Sequence, residues 1–395
     1  MAIGNAIGIA PIPVILDSPQ TTAFGEASVS INNGRIFGQF QYNLNAELFV
    51  DSSTASGQVT VSPPFSLTAS GAATNSSGVL VSRRSMEYFP GCGGLVRFTA
   101  VFDTSVSGNN QLVGLGDSNN GFFIGYNGTT FSICRRSGGS NNFVAQADFN
   151  IDTLDGTGDS VMLINPQMGN VYQIQYQWLG FGQISFFVEN PESGLFRLFH
   201  VISYANANTT TSIQNPSLPL RVESINTSNN TDVVIKVPSI AAYMQGNLSE
   251  ASFLVHGANS IKTISTETAI ITIRNNSVFA GLTNYVQVGP QIITAASDGS
   301  KSVLFNIRKN TALGGSPSFV DYNSNTSVIS IDTAGTTVTG GIFIGSLHIA
   351  KVSNDVLDMS ILDILLSPGE TLTISALSAA SNDVNVSIIW KERFS

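Results

Sequence analysis

The chain has 395 residues, with 17 Lys+Arg against 26 Asp+Glu, a net charge of -9, and only 11% of it is charged, less than half of the ~25% usual in soluble domains. No basic cluster exceeds the pairs Arg83-Arg84, Arg135-Arg136 and Arg308-Lys309, which excludes the footprint of a nucleic-acid binder, and no run of about 18 apolar residues offers a membrane span. Cys92 and Cys134 are the only cysteines, too few for a disulfide scaffold or a Cys-based zinc site, with a single bridge left open.

Residues 1–20 are apolar and uncharged until Asp17, but no Lys or Arg follows Met1, and Pro11 and Pro13 break any helix. A signal peptide therefore fits poorly. X-Pro pairs favour extended backbone, so residues 1–44 read as an extended N-terminal arm. Ile3, Ile7, Ile9, Ile12, Val14 and Ile15 would be buried against this domain or a neighbouring subunit.

From residue 45 onward, alternation with period two dominates, as expected of strands with one buried face. Short strands over 95–102, 111–115, 121–126 and 130–135 are separated by Gly/Asn turns. The clearest stretch puts Tyr172, Ile174, Tyr176 and Trp178 on one face and Gln173, Gln175 and Gln177 on the other. After a turn at 179–182, Ile184, Phe186 and Val188 resume the alternation. The aromatic face reads as core. The Gln row, polar but uncharged, suits water or a wet subunit interface. A helix-like run over 239–257 is interrupted by Gly246 and reads as a connector between domains. Beyond it, strands over 268–274, 303–307, 328–331, 341–349, 372–376 and 384–390 follow, the last with Val384, Val386, Ile388 and Trp390 on one face. The expected fold is all-β: two tandem β-sandwiches of jelly-roll or lectin-like type, at 45–245 and 246–395, behind the arm.

Catalytic and metal motifs are sparse. The segment 114–121, rich in Gly, Asp and Asn, lacks the following helix of a dinucleotide fingerprint and the spacing of an EF-hand, and reads as a hairpin turn. Asp152, Asp155 and Asp159 share one Gly/Asp loop and are the weak candidates for a hard cation. Otherwise no metal or cofactor is expected. His200, His256 and His348 lie far apart and read as structural residues, and nothing resembles a Gly-x-Ser-x-Gly elbow.

Three stretches resemble a β-rich module found in structural proteins of tailed phages and other large DNA viruses. They are Arg83-Arg84-Ser85-Met86-Glu87-Tyr88-Phe89-Pro90-Gly91 with residues 96–102; Leu112-Val113-Gly114-Leu115-Gly116-Asp117 with residues 121–128; and Gly169-Asn170-Val171-Tyr172 running on to Gly182. Residues 366–374 and 386–392 are similar to the closing domain of many such proteins. The resemblance covers about half of the chain, mainly 83–237 and 340–395, and implies a virion component without catalytic residues. The expectation is therefore a non-enzymatic capsid- or tail-associated fibre or decoration protein, located in the virion and held by its arm. Its partners would be its own copies, as a homotrimer, and capsid or tail proteins. Two alternatives stand beside it: a module binding a host glycan or receptor, and a glycoside hydrolase or depolymerase whose carboxylate pair meets only in space.

Overall fold

The computed structural model describes residues 31–246 and 253–394, and it is built almost entirely from antiparallel strands. In the first sandwich a six-stranded sheet runs in the order Asn32–Gln39, Ser239–Gln245, Gly93–Ala100, Asn170–Gln177, Ile184–Glu189, Phe196–Ile202. Facing it is a seven-stranded sheet in the order Ser140–Ala145, Thr130–Ser137, Gly121–Asn127, Asn109–Gly116, Leu218–Asn226, Ser77–Met86, Phe49–Asp51. A three-stranded sheet of Val234–Val237, Phe65–Ala69 and Gln58–Ser62 adds Val59, Ile235 and Val237 to the same core.

Alternation explains which residues meet between the sheets. Val96, Phe98 and Ala100, with Tyr172, Ile174 and Tyr176, point inward from the first sheet, and Val113, Leu115, Phe122 and Ile124 from the second. Phe98 stacks on Tyr172 with ring centroids 5.3 Å apart, Phe102 meets Tyr172 edge-on at 6.0 Å, and Phe122 lies 5.0 Å from Tyr176. Such pairs add about 0.5–1.5 kcal/mol each to the burial of their area. The Tyr176 hydroxyl escapes an unsatisfied burial by donating to the Pro216 carbonyl at 3.0 Å.

The second sandwich pairs a four-stranded sheet, Leu254–Ile264, Asn382–Arg393, Gln287–Ser297 and Ser353–Asp358, with a six-stranded one. The latter runs Val320–Asp321, Ile329–Asp332, Thr268–Asn275, Thr371–Ser378, Val303–Lys309, Ile342–Ile349. Val384, Val386, Ile388 and Trp390 all enter its separate core. Glu392 is fully buried but satisfied: its carboxylate accepts from Trp390 Nε1 at 2.8 Å, the Ser327 hydroxyl at 2.5 Å and the Val328 N–H at 2.9 Å. The sandwiches touch where the Tyr285 hydroxyl donates to the Asp117 carboxylate.

Two expectations need correction. The span 1–44 is not arm throughout, because Asn32–Gln39 is a sheet strand paired antiparallel with Ser239–Gln245. Ile36 and Phe40 are buried there at two-residue-compatible spacing, but the Asn/Gly/Gln residues between them dilute the apolar signal. A bulge between Gly34 and Ile36 disturbs it further. The helix-like run is likewise a strand over Ser239–Gln245, with Ile240, Ala242 and Met244 inward. Its Ala and Met content suits a helix, and pairing on both sides overrides that propensity. The arm positions Ile3, Ile7, Ile9, Ile12, Val14 and Ile15 lie outside the described residues.

Cys92 and Cys134 are both free thiols. Cys134 is fully buried, and burial pushes its thiol up to about 12, whereas Cys92 is half-buried. A thiolate-seeking reagent at pH 8 should therefore modify Cys92 in the native protein and reach Cys134 only after denaturation. Counting labelled thiols by mass spectrometry checks this; two equally fast thiols would contradict the packing.

Candidate functional site

Every sheet of a sandwich has an outer face as well as a buried one, and the two outer faces of the first sandwich differ in character. That of the seven-stranded sheet is filled. Leu112, Phe123 and Cys134 form a small buried cluster there, joined by Phe143. The Arg136 guanidinium lies 4.7 Å from the centre of the Phe123 ring. It donates to the Asp117 carbonyl and the Asn141 side chain, each at 2.7 Å, and pairs with Glu223. Arg221 Nε reaches the other Glu223 oxygen at 2.5 Å. Burial alone would raise the Glu223 carboxyl, but Arg221 and Arg136 hold it below the usual carboxylate range. This network is a structural ion cluster in which each charged group has a hydrogen-bonded partner.

The outer face of the six-stranded sheet is open, and it carries the Gln row. Because Tyr172, Ile174 and Tyr176 point inward, Gln173, Gln175 and Gln177 must point outward. Gln173 is buried by its neighbours and accepts from Arg97 Nε at 2.6 Å, while Arg97 also lies 5.3 Å from the Phe196 ring centre. Gln175 Nε2 donates to Gln245 at 3.1 Å, and Gln245 Nε2 donates in turn to Asn32 at 3.2 Å. Gln177 is exposed. Together with Gln183, Ser185 and Gln245, the residues Gln175 and Gln177 line a depression of about 230 Å³.

A second depression of about 220 Å³ lies on the same face, beside Phe37, Arg97 and Tyr243. Phe37 is 58% exposed and meets Tyr243 edge-on, with ring centroids 5.8 Å apart. Gly34 makes room for this ring, since a Cβ there would lie 2.1 Å from Phe37 Cζ. Arg97 is the one charged residue among those lining the two depressions. Phe37, Tyr243, Arg97, Gln183 and Gln245 were not apparent as site residues from sequence. The signal that could have found them is the period-two pattern of their strands, in which Ile36, Ile240 and Ala242 take the inward positions.

The other candidates do not assemble a site. Asp152 is buried and its two oxygens accept from the Leu154 and Ser160 N–H groups, each at 2.9 Å, with Arg197 Nε 3.5 Å away. Hydrogen bonds from Thr157 and Thr153 hold the Asp155 carboxyl down to about 2, and Asp159 is exposed. Asp152 and Asp155 therefore act as separate loop-ordering groups, and among the described residues no cluster of three or more metal-ligating side chains forms. His200 is buried against Phe149 and Phe186, with Nδ1 accepting from the Asn150 N–H at 3.2 Å. His256 packs on Tyr322 and Trp390, and His348 is exposed on an edge strand.

No family model and no curated protein matches the chain. Among solved structures, it aligns with a glycosyl hydrolase family protein from Mycobacterium fortuitum at 8% identity and a TM-score of 0.38, covering 53% of this chain and 99% of that one. An endo-β-galactosidase from Clostridium perfringens aligns at 10% identity and a TM-score of 0.38, over 67% of this chain and 69% of that one. The carbohydrate-recognition domain of Emp46p aligns at 11% identity and a TM-score of 0.32, over 52% and 97%. These likenesses assign no role to any residue of the chain and do not address a virion role. The expectation of a non-enzymatic protein is not upheld by them, since glycosyl hydrolases stand among the structures the chain aligns with.

The Glu223 cluster makes a pH-dependent contribution whose sign follows from its lowered carboxyl. The folded group is the stronger acid, so its stabilisation is complete above the unfolded value of about 4.3 and is lost as pH falls through the folded value. Glu223→Gln leaves Arg136 and Arg221 without their counter-charge and should cost about 3–5 kcal/mol at pH 7, a gap that narrows as pH drops below about 4. Urea unfolding across that range measures it; parallel curves would refute the assignment.

Proposed function

We propose that the protein binds carbohydrate through the outer face of its six-stranded sheet. The observation that carries this reading is the exposed Phe37 ring, set edge-on against the half-buried Tyr243 beside a wall of uncharged amide side chains. A sugar ring offers C–H faces that lie against aromatic rings and hydroxyl groups that both donate and accept. Each Gln amide supplies both kinds of partner. Neither side of such a contact is ionic, so little is lost in taking it out of water. Arg97, already held by Gln173 and Phe196, adds a charged donor at the edge of the aromatic pair.

A glycan array probed with the full chain tests the proposal. A defined set of glycans is expected to bind, with Phe37→Ala and Tyr243→Ala each weakening the interaction by up to about tenfold while the circular dichroism spectrum is unchanged. Silence across the array, or binding indifferent to both substitutions, would overturn it. Incubating bound glycans with the protein and analysing the products reads whether cleavage follows.

A second reading, a structural component of a virus particle, is favoured by where the resembling stretches fall. Residues 96–102, 112–117, 121–128 and 170–182 fall on neighbouring strands at the centre of the two sheets of the first sandwich, so this part of the resemblance concerns its packed framework. A glycan-binding face on such a framework is the arrangement expected of a particle that attaches to a host surface. Mass spectrometry of purified particles should find the protein there, and deleting residues 1–20 should leave a folded chain that no longer joins the particle. Normal incorporation of the truncated chain would rule out anchoring by the arm.

A further inference from the structure

A cavity of about 140 Å³ lies where the two sandwiches meet, with Arg35, Arg84 and Glu87 on one side and Gln287, Asp363 and Arg393 on the other. Its polar groups are unusually underemployed. Glu87 is 5% exposed and Gln287 2% exposed. Yet among the described residues Glu87 Oε1, Gln287 Nε2 and Arg35 Nε have no hydrogen-bond partner. The Gln287 carbonyl oxygen, by contrast, accepts from the Ser367 hydroxyl at 3.4 Å, which leaves its amide nitrogen as the free end. Orphaned groups of this kind are rare in folded proteins and each costs stability unless something else meets it.

The charges are arranged in the same way. Burial raises the Glu87 carboxyl, against the opposing pull of Arg393, Arg35 and Arg84, all three of which line the cavity with it. None of the three closes an ion pair among the described residues. Three guanidinium groups set against the carboxyls of Glu87 and Asp363 leave one positive charge unmatched, which a single monoanionic group would balance. A dianion such as a phosphate monoester would overshoot it and stand against two carboxyls.

We infer that this cavity binds a small hydroxy-carboxylate, with a sugar acid as the matching class of ligand. Its carboxylate accepts from Arg35 Nε and Gln287 Nε2, the planar donor geometry of Arg suiting a carboxylate. A neighbouring hydroxyl of the ligand meets Glu87 Oε1. The space is on the order of ten times the ~10–15 Å³ that one water needs, enough for one such unit. The site is distinct from the outer sheet face and does not rest on the function proposed above. Because it draws on both sandwiches, its occupant ties them together.

Calorimetric titration of the full chain with sodium glucuronate tests this, with glucose and sodium sulfate at matched ionic strength as controls and a glucuronate-terminated oligosaccharide as a further arm. Saturable binding of glucuronate is expected, with neither control competing. Arg35→Gln and Arg393→Gln should each weaken it by about tenfold or more in proteins whose circular dichroism is unchanged. His348→Ala, on an exposed edge strand outside the cavity lining, should leave it as it was. Binding of the oligosaccharide as well as the monomer would mark the ligand as a glycan end, and binding of the monomer alone would mark a free sugar acid. No saturable binding, equal competition by sulfate, or indifference to both Arg substitutions would each overturn the inference.

Discussion

The packing of Phe98, Tyr172, Phe102, Phe122 and Tyr176 between two sheets is the interaction on which the rest of the first sandwich depends. Strand geometry makes this more than a matter of core stability. Side chains alternate strictly across a strand, so a register that buries Tyr172, Ile174 and Tyr176 has no choice but to present Gln173, Gln175 and Gln177 on the opposite face. A slip of one residue would put amides in the core and rings in water, an exchange that costs several buried aromatics at once. The core and the candidate binding face are therefore two consequences of one register.

The scarcity of charge takes on a meaning in this setting. The few charged groups are used with economy, and several are internal. Glu223 is clasped by two arginines and Glu392 by three donors. On the outer face of the six-stranded sheet, the groups left to solvent are amides, a hydroxyl and an aromatic ring beside a single arginine, which meet a neutral polar surface at little desolvation cost. The exception is the junction between the sandwiches, where Arg35, Arg84 and Arg393 gather around Glu87 without closing ion pairs. Charged groups that close ion pairs in one place and leave them open in another separate a structural cluster from a receptive one.

Chain order contributes a second constraint. The strand Asn32–Gln39 enters the sheet beside Ser239–Gln245, so the beginning and the end of the first sandwich are hydrogen-bonded to each other. Phe37 and Tyr243 come from these two strands, some two hundred residues apart in sequence, and form one aromatic pair only because the sheet closes in this way.

The strands over 170–177, 184–189 and 382–393 were legible from sequence because their apolar residues recur every second position, a local property of the backbone, and those over 93–100, 109–116 and 121–127 because Gly/Asn turns bound short apolar runs. The same reasoning read the Tyr172 face as core and the Gln173 row as surface, and it placed turns where Gly and Asn cluster. It missed Asn32–Gln39 and Ser239–Gln245, in which a bulge and a helix-favouring composition blur the period. What sequence could not supply was adjacency. Which outer face is closed by an Arg136–Glu223 cluster and which is open, that Phe37 stands by Tyr243, and that Arg35 and Glu87 face Gln287 and Arg393 are decided by pairings between distant strands. The sequence by itself determined an all-β chain with an uncharged polar strand face; the tertiary structure decided where that face acquires aromatic rings and where the cations converge, because register is local but neighbourhood is not.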